Sequence, residues 1–156
     1  MLGPAFLKAF NATLLVTLAI AIPTFFFADE VVRLLFGARW TTAGSVLRIL
    51  ALVIPLRGVT LISSTIFWSA KRPREVAILR TLDAAVFLIV LYPLITTIGL
   101  TGVAWAGLIM YAFACVNRAI TVNKIIPGIS FELLRSLLAT LAFLIAIVLV
   151  RVLLTR

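Results

Sequence analysis

Residues 43–69 read AGSVLRILALVIPLRGVTLISSTIFWS. The run is long and apolar enough to cross a bilayer, which takes about 20 mostly apolar residues in a helix. Trp40 and Trp68 fall at its two ends. Those are the positions of the aromatic belts that line both membrane–water interfaces. Two arginines sit inside it, Arg48 and Arg57. Arg57 lies near the middle, two residues after Pro55 and just before Gly58.

Outward from this run the same pattern repeats. Apolar runs occupy about residues 9–28, 76–98, 103–122 and 133–154. The sequence therefore predicts an all-α integral membrane helical bundle. It has about five transmembrane helices and forms a single transmembrane domain over residues 1–156. Composition agrees: 64% of the 156 residues are hydrophobic and 12% are charged, against about 45–50% and 25% in soluble domains. The mean hydropathy is +1.28. A water-soluble fold of this size has too little interior to hide that much apolar surface.

The breaks between runs are short. Asp29-Glu30-Val-Val-Arg33-Leu-Leu-Phe36-Gly37-Ala-Arg39-Trp40 follows the first run. Its apolar residues recur at helical spacing, which predicts a short interfacial helix ending at Gly37. Ala70-Lys71-Arg72-Pro73-Arg74-Glu75 is a compact basic turn, and Gly99-Leu-Thr-Gly102 a tight hairpin link. In the last link, Ser130 is placed to cap the final helix, with Glu132 in its first turn. Pro23, Pro55 and Pro93 lie inside or near the ends of three runs. Neighbouring helices re-satisfy the carbonyl that such a proline frees. The first run follows Lys8 and is too long, with no small-residue cleavage site after it, for a signal peptide.

Lysine and arginine total 14, against 5 aspartates and glutamates. The basic residues gather between the apolar runs, with no basic–aromatic patch for nucleic acid. They are expected to set topology and to meet anionic lipid headgroups. Lys71, Arg72 and Arg74 in one turn and Lys124 in another are the cytoplasmic anchors. With Lys8 they place the N-terminus on the cytoplasmic side of the inner membrane. Alternation then puts Arg151 and Arg156 outside. That is a mild violation of the positive-inside rule, which is removed either by a further helix after the fifth or by a fifth run that does not span fully.

The chain carries no catalytic signature. It has no histidine, paired carboxylates or glycine-rich phosphate loop, and its lone cysteine, Cys115, sits in an apolar run. No enzyme, metal or cofactor is expected. The informative residues are the charges within spans, which are costly and usually face a bundle interior or a wet cavity. Arg57 reads as an anion contact or as half of a structural pair. Arg48 is close enough to its helix end to snorkel. Arg80 and Asp83 are three residues apart on one face, which predicts an intrahelical ion pair or a gate contact. Asn117, Arg118 and Asn123 are expected to bond across helices and anchor theirs. Gly102, Ala104, Ala106 and Gly107 make a small-residue face for close packing.

The order of these features resembles a known family. A Leu-Leu-Phe-Gly-x-x-Trp stretch (34–40), an Ala-x-x-Pro turn (Ala70, Pro73) and a Gly-x-x-Gly-x-Ala-x-Ala hairpin (99–106) follow one another. Over about residues 29–123 this is similar to the C-terminal half of polysaccharide biosynthesis, or oligosaccharide flippase, proteins. These belong to a superfamily that also holds multidrug antiporters. The resemblance implies two similar halves around a V-shaped cavity, of which this chain would supply helices nine to thirteen. It implies transport of undecaprenyl-diphosphate-linked oligosaccharide by alternating access, with Arg57 and Arg48 as contacts to the lipid diphosphate. The N-terminal half would be a missing partner. Two other readings are a multidrug antiporter using Asp83, and a non-transporting assembly or anchoring module.

Overall fold

The computed structural model describes residues 2–40, 42–125 and Ala142. Within them the chain is helical, with no strand. Helix α1 spans Leu2–Phe26, α2 Ala28–Phe36, α3 Thr42–Ser69, α4 Pro73–Ile98 and α5 Leu100–Ile125, and a single 3-10 turn covers Ala38–Trp40. Four of these, all but α2, are long and apolar enough to cross a membrane. They are apolar on every side, as expected where lipid replaces water around a helix. The run at 133–154, with Ser130, Glu132, Arg135, Arg151 and Arg156, lies outside the described residues.

The helix ends follow local chemistry. Proline is tolerated in the first helical turn, where its missing N–H has no intrahelical partner; Pro73 accordingly opens α4. Helix α4 therefore starts three residues before its apolar run. Arg72 Nη1 reaches Glu75 Oε1 at 2.9 Å across that first turn. Gly37 (φ 82°) ends α2 and Gly99 (φ 63°) ends α4. Their N–H groups bond Arg33 O and Ile95 O at 3.0 Å. Between α3 and α4, Lys71 takes the left-handed conformation itself, at φ 55°. The Arg72 N–H then closes back on Phe67 O at 2.9 Å. Glycine is the usual residue there, and a lysine keeps a positive charge in the turn at a conformational cost.

Helix α2 has a different character. Val32 and Ala28 are buried, while Leu34, Leu35 and Phe36 stand out, and Trp40 beside them is exposed too. The short helix ending at Gly37 is present as the sequence pattern predicts, and its exposed apolar residues suit an interface plane. An ion pair from Arg48 to Asp29 ties it to α3. Gly44 sits against Asp29, where any side chain would collide with the carboxylate.

Helix α3 is the centre of the bundle. It packs against α1 on one side and α5 on the other, and α5 packs in turn against α4. The main core joins Phe10 and Leu14 of α1, Leu56, Val59, Ile66 and Phe67 of α3, Val76 and Leu79 of α4, and Cys115 and Val122 of α5. Between membrane helices such packing is driven by van der Waals fit and close approach rather than by water exclusion. Close approach occurs at two glycines. A β-carbon on Gly58 would stand 2.8 Å from Thr17 Cγ2, so α1 and α3 meet there. One on Gly102 would run into the Leu94 carbonyl, so α5 lies on the α4 backbone. Ala104 and Ala106 are buried as the small-residue pattern predicts, while Gly107 faces open space.

Candidate functional site

Ionisable groups in the spans decide where function is sought, because each costs free energy unless it is paired or wet. Among the described residues, four gather in one place. Arg57 of α3, Arg80 and Asp83 of α4, and Arg118 of α5 line a single cleft of about 260 Å³. Thr60, Phe87, Met110 and Tyr111 complete much of its wall. Helix α5 packs against both α3 and α4, which touch each other only lightly. The cleft therefore opens between α3 and α4, with α5 as its floor.

Depth follows from helical rise. At 1.5 Å per residue, Arg57 lies within about 2 Å of the midpoint of α3 and about 18 Å from its C-terminal end. On the same measure Arg80 and Arg118 lie about 10 Å, and Asp83 about 15 Å, from the end of the bundle that carries the Lys71 turn. The polar cluster thus runs from about 10 Å inside the end that carries the basic turn to the middle of the span.

The floor is a buried ion pair. Arg118 Nη2 donates to Asp83 Oδ2 at 2.7 Å, and Arg118 Nη1 to Ala114 O at 3.3 Å. Only 2% of Arg118 and 7% of Asp83 is exposed. Arg118 Nε and Asp83 Oδ1 are both buried without a hydrogen-bond partner. A second bond between them would complete the two-pronged geometry that arginine and carboxylate favour.

This corrects the expectation of an Arg80–Asp83 pair within α4. Asp83 turns into the α4–α5 interface, and the arginine facing it there is Arg118. Arginine N-terminal to the acid is also the weaker order for a pair along one helix. A pair buried between helices gains more from the low dielectric than one on a helix surface. Arg80 is exposed and, among the described residues, makes no ion pair. Arg57 is likewise exposed and unpaired there. An arginine at the centre of a spanning helix costs about 2.5–3.5 kcal/mol against hydrocarbon. The face carrying Arg57 and Arg80 therefore suits water or protein rather than lipid tails.

Arg48 belongs to another place. It sits near the opposite end of α3 with its guanidinium on Asp29, does not line the cleft, and secures α2. Of the basic anchors, Lys71, Arg72 and Arg74 lie together around the α3–α4 turn. Lys124 falls in the last turn of α5, and its side chain lies outside the described set. The hydroxyls near the site are spent locally: Ser63 and Ser64 bond Val59 O and Thr60 O at 2.7 Å, and Thr60 bonds Arg57 O at 2.8 Å. Cys115 is buried, with Sγ 3.4 Å from Leu56 O, and belongs to the packing.

Sequence reasoning treated Arg118 as a helix anchor and did not join it to Asp83. Thr60 and Tyr111 were not singled out at all. No spacing rule pairs residues on different helices, and the only signal was that both charges sit within apolar runs.

Fold and composition define the class: a multi-pass helical membrane protein. No protein-family model, curated protein or solved structure matches the chain.

Proposed function

We propose that the chain is part of a membrane transporter that moves lipid-linked oligosaccharide across the cytoplasmic membrane for cell-surface polysaccharide biosynthesis. The observation that carries this reading is Arg57, exposed at mid-depth in a cleft with two further arginines and only one acid. A site of that charge suits a substrate whose diphosphate must cross the bilayer, since guanidinium matches phosphate oxygens. The resemblance of residues 29–123 to the C-terminal half of oligosaccharide flippases supports the same substrate. Under this reading the N-terminus and the Lys71 turn face the cytoplasm, as the basic turns favour. A second half supplies the facing wall of the cavity. Arg57 is the diphosphate contact, and Arg48, held by Asp29, is not.

One observation favours the multidrug antiporter as second reading: Asp83 is a carboxylate buried within a span. Its engagement by Arg118 ranks it below the flippase, because a coupling carboxylate has to exchange its cation.

Complementation of a flippase-deficient strain, with and without a supplied N-terminal half, tests the reading. Restored surface polysaccharide that is lost with Arg57→Ala and kept with Arg57→Lys is the expected result. Unchanged activity in both variants would rule out Arg57 as the contact.

A further inference from the structure

We propose that Arg57 and Arg80 form a two-armed site for a dianionic phosphate group, with the Arg118–Asp83 pair as its neutral floor. The proposal deepens the reading above by assigning Arg80 to binding and fixing the charge of the ligand. It rests on that reading only for the lipid identity of the ligand.

The charges in the cleft decide the ligand class. Arg57, Arg80 and Arg118 contribute three positive charges and Asp83 one negative, and every other described residue lining it is neutral at pH 7. Asp83 is committed to Arg118 at 2.7 Å, which leaves Arg57 and Arg80 uncompensated on opposite walls. Two unpaired guanidinium groups at the depth of a span are stabilised by an anion entering between them. A ligand with two charges brings the cleft to neutrality. A diphosphate esterified at both ends has one ionised oxygen on each phosphorus and so carries two. Its two phosphates can meet one arginine each. A single-charge headgroup leaves one arginine unpaired. Asp83 thus sets the charge number: without it the cleft would carry three positive charges and favour a more highly charged anion.

The test is equilibrium binding to the full chain in phosphatidylcholine nanodiscs. Radiolabelled cytidine diphosphate diacylglycerol, a diphosphate diester, serves as probe, and phosphatidylglycerol as the single-charge control. Each of Arg57→Gln and Arg80→Gln, exposed positions where folding is not at stake, should weaken probe binding about tenfold or more, the loss of one charge-assisted contact. The double variant Asp83→Asn, Arg118→Gln keeps the net charge and should bind within about threefold of the parent, half a decade in affinity. Arg74→Gln, in the turn outside the cleft, should leave binding unchanged. Displacement by soluble inorganic pyrophosphate would show that the phosphates alone are recognised. Displacement only by unlabelled lipid would show a headgroup presented from the bilayer. Both support the site. Equal binding by both Gln variants and the parent would overturn it, as would equal weakening by Arg74→Gln, or tighter binding of phosphatidylglycerol than of the probe. Loss of binding in the double variant would overturn the neutral-floor role of the pair. Binding retained in a chain that fails to complement even with a supplied N-terminal half refutes the flippase reading and leaves this site standing.

Discussion

Arg118 shows how a single residue is constrained from several directions. Its guanidinium is almost fully buried, held by Asp83 and the Ala114 carbonyl. A buried pair of this kind adds little net stability, because desolvation offsets most of the attraction. Breaking it is another matter, since the partner is left charged and unpaired. Arg118→Ala should therefore destabilise the protein by about 3–5 kcal/mol. The measurement is detergent-solubilised thermal unfolding, read against Asp83→Asn, Arg118→Gln, which removes both charges together and should recover most of the loss. If the single variant is as stable as the parent, the pair does not hold α4 to α5. Arg57 and Arg80 differ in kind: exposed and unpaired among the described residues, they contribute to binding rather than to packing. Arg57→Ala should accordingly cost transport and not stability.

At the scale of elements, the close helix contacts depend on glycines. Gly102 places α5 directly on the Leu94 carbonyl of α4. Gly102→Ala should push the two helices apart, lower the unfolding temperature and loosen the Arg118–Asp83 pair, which spans the same interface. Gly107→Ala, which meets nothing within 4 Å, is the matched control and should be silent. Thermal unfolding of the two variants side by side checks this; equal effects would contradict the packing described. The elements themselves were largely legible in the sequence. Apolar length alone located four span-length helices, and the Val31–Phe36 spacing located the short helix α2. Their ends were less legible. Helix α1 begins at Leu2 and α5 at Leu100, before the apolar runs at 9 and 103. A helix need not stop where its lipid contact stops, and Gly102 continues α5 because α4 supports it. Partners across helices were not legible at all. Three-residue spacing drew Arg80 to Asp83, yet the face that Asp83 presents to α5 decided its partner.

At the scale of the whole molecule, the described residues form a layer of helices in the order α1, α3, α5, α4, with α3 and α5 inside. Such a layer has two kinds of outer surface. One is apolar, with Leu15 and Val16 on α1 and Leu88 and Ile89 on α4, and suits lipid. The other holds the basic cleft between α3 and α4, and suits water or a facing protein. The central claim is that a charged, water-accessible cleft reaches the middle of a membrane-spanning bundle. The direct test replaces Cys115 with alanine and introduces single cysteines at Leu61 and Ala84 in the cleft wall and at Leu15 and Leu88 on the apolar surface. A charged, membrane-impermeant thiol reagent is then applied to the protein in sealed vesicles of each orientation. The account predicts modification of Leu61→Cys and Ala84→Cys from the side of the Lys71 turn, with Leu15→Cys and Leu88→Cys protected from both sides. Protection of the two cleft positions, or modification of all four alike, would contradict it.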